Sequence, residues 1–410
     1  MDTITHLHNK RIVLGVTGSI AAYKAVDLAS KLTQAGGLVD VIMTDGAQKF
    51  VTPLTFQAVT GRAVYTDLWQ TDASGGLPTH IAHVGLAEGA ALLMIAPCTA
   101  DTLARLTGGF AGDLLCITAL AARCPLVIAP AMDGTMYEHP AVQANVATLI
   151  GRGAVIIEPE SGRFASGLIG KGRLPETPTL IGAIRQVLGK TGALAGRHVV
   201  VTAGGTREAL DPVRYLTNRS SGKQGYALAQ AALDAGADVT LITSVPLDPP
   251  YGAHVIAADS AAHLLDAVMT CTTNADVLIM AAAVADFRPK TVAEHKIKKT
   301  GDDEGLTIEL ERNADILAAV TARRHDMGSP KIAVGFAAES HDLETYAQEK
   351  LTRKGLDLLV ANDITAQDAG FEVDTNRVIV FDRDGMTRLD LMSKARVSEA
   401  IIERIASLLK

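Results

Sequence analysis

The chain has 410 residues, too many for one ordinary core, so two domains of roughly 200 residues each are expected. Hydrophobic residues at 48% and charged residues at 20% describe a globular protein, and the longest apolar stretches, such as 277–285, fall well short of the ~18–20 residues a bilayer-crossing helix needs. Residues 1–190 hold 14 basic and 14 acidic groups, which leaves 24 and 31 of the chain's 38 and 45 for the second half, a net of −7 there; neither half suits non-specific nucleic-acid binding.

In chain order, MDTITHLHNKR has no apolar signal core, which predicts a cytoplasmic protein. RIVLGVTGSIAAYKAVDLASKLTQAG (11–36) then predicts strand, glycine turn and helix, with VDVIMT as the next strand. ALLMIAP, CPLVIAP and AVIIEP are further short apolar runs between helical patterns. The pattern breaks near LGKTGALAGR (188–197), so the domains are expected at 1–190 and 191–410. RHVVVTAGGTRE (197–208) opens the second half as the first opened, its helix expected from about Gly225 to Asp234 and a strand at GADVTLIT. DVLIMAAAVAD, KIAVGFAAE and DLLVAND continue the series, and the polar FRPKTVAEHKIKKTGDDEGL (287–306) reads as a long loop or a small hairpin. Unbroken apolar strands alternating with helices predict an α/β protein: two doubly wound Rossmann-like domains with mainly parallel sheets.

Such sheets bind ligands at the carboxyl ends of their strands. Asp133, in APAMDGTMYEHP, stands at one of these ends; its position fits a helix N-cap as well as a ligand contact. G-x-x-G-S-I at 15–20 offers bare backbone N–H groups and the Ser19 hydroxyl to a phosphate, a weak signal alone because it is not G-x-G-x-x-G. SSGK (220–223) is not a P-loop, which would need Gly where Thr217 stands and Ser or Thr where Gln224 stands. KIKK (296–299) is either a solvated basic run or the counter-charge that an acidic half needs to hold a polyphosphate. Cys98, Cys116, Cys124 and Cys271 show no C-x-x-C spacing, so reduced thiols are expected and neither disulfides nor zinc.

Taken together and in order, GVTGSIAAYKA, residues 80–115 (HIAHVGLAEGAALLMIAPCTADTLARLTGGFAGDLL) and PAMDGTMYEHP resemble the homo-oligomeric flavin-containing cysteine decarboxylases. With TAGGTREALDPVRYLTNRSSGKQG (202–225), AAAVADFRP (281–289) and EHKIKK (294–299), the chain from about residue 10 to about 405 resembles the bifunctional phosphopantothenoylcysteine decarboxylase/phosphopantothenate–cysteine ligases of coenzyme A biosynthesis.

For the first half this resemblance implies FMN, held by Gly18, Ser19, Ile20 and Thr44, with Cys98, Thr99, Ala100 and Asp101 beside the flavin. His83 stands fourteen residues before Pro97 and matches the catalytic histidine; His80 is out of register. Pro130, Ala131, Met132 and Asp133 would meet the substrate. Oxidation of the thiol to a thioaldehyde by FMN gives the electrons released with CO2 somewhere to go, and His83 would handle protons. The chain departs from the family pattern twice: Asp133 stands where an Asn reads the substrate carboxylate, and Ser166 where a flap Cys donates a proton. These support a second reading, an active ligase whose FMN-binding half is a weak or inactive decarboxylase. A third reading, the nucleotide-binding domains of an NAD-dependent reductase, lacks its glycine fingerprint.

For the second half the resemblance implies joining of 4′-phosphopantothenate to cysteine with CTP through an acyl-cytidylate. Asn218 would hold the acyl carbonyl and Lys296 the phosphates. Asp286, Asn313, Ala314, Asp315, Ile316, Phe336, Lys350 and Lys354 match CTP-binding positions, and Mg2+ (or Mn2+) would neutralise the triphosphate. Asn362 and Asp363 line the same crevice or form a structural turn. The partners implied are small-molecule substrates, with no nucleic acid and no membrane, in a homo-oligomer of trimeric flavin domains and dimeric ligase domains, up to a dodecamer.

Overall fold

The apolar run after Arg11 forms β1 (Arg11–Val16), buried at every following position. β2 (Leu38–Met43), β3 (Val64–Tyr65), β4 (Leu92–Cys98), β5 (Leu126–Pro130) and β6 (Val155–Ile156) join it in the order β3-β2-β1-β4-β5-β6. Every pairing is parallel. Helices cover both faces of such a sheet, which is why its strands are apolar throughout rather than alternating; β4 is buried at all seven positions. The buried Asp40 of β2 is neutralised by Arg11 Nε at 2.6 Å and Arg62 Nε at 2.7 Å, as a carboxylate out of water requires. A separate antiparallel hairpin, β7 (Glu160–Arg163) with β8 (Ile169–Arg173), follows.

The computed structural model describes residues 4–69, 82–164, 167–298, 306–339, 343–363 and 373–410. It separates into two compact units, Met1–Leu188 and Gly189–Lys410. Among the described residues no helix is long and apolar enough to cross a membrane.

The second unit contains β9 (His198–Ala203), the hairpin β10 (Arg207–Ala209) and β11 (Tyr215–Thr217), then β12 (Asp238–Thr243), β13 (His254–Ala257) and β14 (Val277–Met280). A second small hairpin, β15 (Phe287–Pro289) with β16 (Leu310–Arg312), precedes β17 (Ile332–Glu339), β18 (Leu358–Asp363), β19 (Thr375–Asp382) and β20 (Gly385–Ser393). The main sheet runs β13-β12-β9-β14-β17-β18-β19-β20. It is parallel as far as β18; β19 and β20 are added antiparallel. Both main sheets thus reverse their winding beside the first strand of their unit, between β1 and β4 and between β9 and β14, the arrangement of doubly wound folds.

Two expectations are refined. The helix expected from Gly225 starts at Lys223, because Gly222 takes a left-handed φ of 75° and turns the chain into it. A Cβ at Gly222 would also lie 2.5 Å from a Val245 methyl. The segment 287–306 begins as a hairpin strand, β15, whose partner β16 lies beyond its predicted end.

Candidate active sites

In the first unit, hydrogen bonds stitch the carboxyl ends of four strands into one continuous edge. Thr44 N donates to Val16 O at 3.1 Å, joining the ends of β2 and β1. The buried Thr17 hydroxyl donates to Pro97 O at 2.7 Å and accepts from Thr99 N at 3.0 Å, joining β1 to β4. Ala131 N donates to Cys98 O at 3.0 Å, carrying the edge to β5. Gly18, Ser19, Ile20, Thr44, Cys98, Thr99, Ala100, Asp101, Pro130, Ala131 and Met132 therefore lie along the winding reversal, where sheets of this kind take ligands.

The cradle suits a phosphorylated cofactor. Gly18 and Gly46 approach so closely that a Cβ on Gly18 would lie 2.9 Å from the Gly46 Cα. The 13-residue helix Ala22–Gln34 starts just beyond, without a side-chain cap. No hydrogen bond among the described residues occupies the amides of Gly18 or Ile20. Unused amides at a helix N-terminus are what an anionic group needs. Ser19 Oγ meanwhile accepts from Ala21 N at 3.3 Å, and Thr44 and Thr99 cap the following helices through Ala47 N and Thr102 N. Cys98 contributes main chain only: burial, and secondarily Cys116, pushes its thiol far above the usual range, and burial lifts that of Cys116 to about 12. Asp101 points to water and pairs with Arg105 at 2.8 Å.

Asp133 is half-buried and caps the four-residue helix Gly134–Tyr137, its Oδ1 accepting from Thr135 N at 3.1 Å and Thr135 Oγ1 at 3.0 Å. Just before it, Met132 N donates to Gly172 O of β8 at 3.0 Å, so the hairpin β7–β8 docks on the strand end that carries Asp133. Phe164 fills the contact, its ring lying within 3.4 Å of where a Cβ would stand on Gly134, Gly170 or Gly172. Lys171 ties β8 to Glu158 by a short ion pair, which holds the lysine pKa above its usual value. Ser166 falls between Phe164 and Gly167, outside the described residues, as does His80.

His83 sits in the helix Ala82–Ala87, which Arg11 ties down through the carbonyls of Gly85 and Glu88, both at 2.7 Å. Its Nδ1 is buried and finds no hydrogen-bond partner among the described residues. A buried polar atom left unsatisfied is costly, and a catalytic or ligand-binding role is one explanation for it.

In the second unit Asn218 and Asn313 meet at the segment after β14. The apolar run does not continue as strand past Met280, because Thr202 Oγ1 and Thr206 Oγ1 take the amides of Ala282 and Ala285 at 3.1 and 3.0 Å. Asn218 Nδ2 donates to Val284 O at 3.1 Å and Asn313 Nδ2 to Ala285 O at 2.8 Å. Asn313 N also donates to the carbonyl of the exposed Asp286 at 2.9 Å. Beyond the exposed Ala314, Asp315 caps the helix Ile316–Met327 through Ala318 N at 3.0 Å and makes a short ion pair with Lys354. Lys350 Nζ donates to Phe336 O at 3.2 Å. Ile316 is 3% exposed and belongs to the core, and Asn362 is buried.

Lys296 is exposed, and the residue after it, Ile297, is held by two residues that sequence reasoning left without a role, Asp211 and Arg214. The Asp211 carboxylate accepts from Ile297 N at 3.1 Å, and Arg214 donates to Ile297 O at 2.6 Å. Burial alone would raise the Asp211 pKa, but the amides of Val213, Ile297 and Arg214 and the Arg214 charge outweigh it and hold the carboxyl below the usual range. The signal in the sequence was the Asp-Pro turn inside ALDPVR, which marks a bend without naming what it holds.

Family models match both halves: "Flavoprotein" over residues 2–189 and "DNA/pantothenate metabolism flavoprotein C-terminal domain" over residues 194–409. The chain is 48% identical over 409 residues to the coenzyme A biosynthesis bifunctional protein CoaBC of Bacillus subtilis (strain 168), covering 98% of each chain. It is 46% identical over 414 residues to the protein of that name from Mycolicibacterium smegmatis, again 98% of each. A crystal structure of a CoaBC C-terminal domain aligns at 39% identity, with a TM-score of 0.44, covering 53% of this chain and 98% of that one. The chain belongs to the CoaBC family of bifunctional coenzyme A biosynthesis proteins.

Proposed function

We propose that each unit performs one of two successive steps: the second joins 4′-phosphopantothenate to cysteine with CTP, and the first decarboxylates the resulting phosphopantothenoylcysteine to 4′-phosphopantetheine. The chain is an enzyme of coenzyme A biosynthesis, a ligase and a decarboxylase in one polypeptide. What supports the reading is that Gly18, Cys98 and Thr99 in the first half, and Asn218 and Asn313 in the second, lie near the winding reversal of their own sheets, in a chain matched to its relatives over 98% of its length.

In the first unit the amides of Gly18 and Ile20, with Ser19 and Thr44, would hold the FMN phosphate. Bound there, FMN supplies the two-electron oxidation of the substrate thiol that makes loss of the carboxylate feasible. His83 would hold a proton at its unpartnered Nδ1. Asp133 would read the substrate carboxylate, and two carboxylates facing each other repel unless they share a proton. Ser166 would take the place of the flap acid.

In the second unit Asn218 would turn its amide from Val284 to the acyl carbonyl, and Lys296 would neutralise the phosphates. Asp286, Asn313, Ala314, Asp315, Ile316, Phe336, Lys350 and Lys354 would surround CTP. No three metal-ligating side chains converge among the described residues. A Mg2+ or Mn2+ ion would arrive with the triphosphate and take its ligands mainly from phosphate and water. By the same family reading the chains assemble through trimeric flavin domains and dimeric ligase domains, as far as a dodecamer.

The test follows CO2 release from enzymatically made phosphopantothenoylcysteine between pH 5 and 8, for the wild type and Asp133→Asn. A wild-type rate that falls as pH rises, with a flatter profile in Asp133→Asn, is expected. No CO2 from the FMN-loaded wild type at any pH, with release restored in the Asn variant, would leave a ligase with a disabled flavin half.

A further inference from the structure

The residues around Lys296 hold few fixed points. Upstream, Lys290 is set by the hairpin, its amide donating to Glu309 O at 3.0 Å, and Ala293 N donates to Leu210 O at 3.0 Å. Lys296 and Lys298 are both exposed, and between them Ile297 is the one residue whose peptide N–H and C=O are both taken by side chains. We infer that Asp211 is a positioning residue for Lys296: with Arg214 it clasps the main chain of Ile297 and fixes where the two flanking lysines stand. The inference rests on the role proposed above for Lys296.

The two oxygens of Asp211 have separate tasks. Oδ1 accepts from Val213 N at 2.8 Å and Arg214 N at 2.9 Å, which closes the turn between β10 and β11. Oδ2 accepts from Ile297 N at 3.1 Å and lies 3.3 Å from Arg214 Nε. The Asp211 side chain is fully buried, so its carboxylate accepts these bonds with little competition from water, although Arg214 is partly exposed. Arg214 completes the grip by donating to Ile297 O at 2.6 Å. A planar fork fixed by a carboxylate on one side holds a carbonyl in a defined direction, which a flexible lysine would not. Asp211→Asn separates the tasks. Its carbonyl oxygen can still accept the two turn amides, but its NH2 would then face the Ile297 N–H and the Arg214 Nε–H, donor against donor.

The full-length enzyme tests this in a double-mutant cycle: pyrophosphate release with CTP, 4′-phosphopantothenate and cysteine, for wild type, Asp211→Asn, Lys296→Gln and the double variant. Asp211→Asn is expected to lower kcat about 10–100-fold, the scale of a misplaced catalytic group, with the KM for cysteine within about twofold. Amide exchange should quicken in a peptide spanning 293–298. In the Lys296→Gln background Asp211→Asn should cost almost nothing more. An undiminished loss in that background overturns the clasp and leaves Asp211 a plain structural residue. Lys296→Gln as fast as the wild type overturns the role of Lys296 and, with it, the inference. Should Asp211→Asn fail to fold, Arg214→Lys carries the same cycle, since it keeps the cation beside Asp211 and loses the fork; the expected loss is about 3–10-fold.

Discussion

Met132 and Gly172 meet through their main chains: the Met132 amide donates to the Gly172 carbonyl at 3.0 Å, and a Cβ on Gly172 would lie 2.3 Å from the Met132 carbonyl oxygen. The obstructing atom is backbone and cannot swing aside. Gly172→Ala is therefore expected to lift the β7–β8 hairpin away from the strand end that carries Asp133. CO2 release should fall at least about tenfold, the scale of an overpacking penalty of 1–3 kcal/mol. Bound flavin and pyrophosphate release from the same preparation should stay at wild-type levels, and a parallel loss of ligation would contradict this account.

Thr17 is 1% exposed, and its hydroxyl serves both Pro97 O and Thr99 N. Thr17→Val keeps the shape but leaves the Thr99 amide unpaired and Pro97 O with only the Thr17 amide at 3.3 Å, which should cost about 1–3 kcal/mol. Because the lost bonds join β1 to β4 at the cofactor cradle, flavin retention on dilution should drop as well. Denaturant unfolding and flavin absorbance measure the two effects, and an unchanged midpoint would show that other groups satisfy these partners.

Asp276 pins the opposite, amino end of the second sheet. Burial alone would raise its pKa, but Lys331 at 2.8 Å, the His198 amide at 3.0 Å and Arg197 at 3.0 Å outweigh it and hold the carboxyl below the usual range. A folded pKa below the unfolded one, ~4, stabilises above that value, and the stabilisation is lost as pH falls through the folded pKa. Asp276→Asn should thus be less stable than wild type by roughly 1–3 kcal/mol at pH 7. The gap should close as the pH is taken below ~4. Urea melts at several pH values report it, and a gap that widens in acid would refute the assignment. Ligation should not change, since this end lies away from the site.

Asp315 both caps a helix and pairs with Lys354. Asn caps as well as Asp, and a half-exposed ion pair is worth under about 1 kcal/mol, so Asp315→Asn should shift the thermal midpoint by no more than ~3 °C. If Lys354 serves the triphosphate, Lys354→Gln should raise the KM for CTP about tenfold, the loss of one charged hydrogen bond. Asp315→Asn should leave it within about threefold. Equal effects of the two variants would mean that the pair acts only as a unit.

Much of this protein follows from local features of its sequence. Unbroken apolar runs after Arg11 and His198 predicted strands covered on both faces, and the glycine turn after the first placed Gly18 and Ser19 at a strand end; Thr44 and Asn218 came from the family resemblance. Position alone left Asp133 open between a cap and a ligand contact; the bonds from Thr135 show that it caps. The strand β19, whose run 378–381 is apolar, was missed, and β20 was not legible, since an exposed edge carries no apolar run to betray it. Nor was the hold of Asp211 on Ile297, or of Gly172 on Met132. The reason is physical. Periodicity and glycine conformation are properties of neighbouring residues and can be read locally, whereas every peptide carries the same donor and acceptor. Which distant partner satisfies each of them is decided only when the sheets assemble.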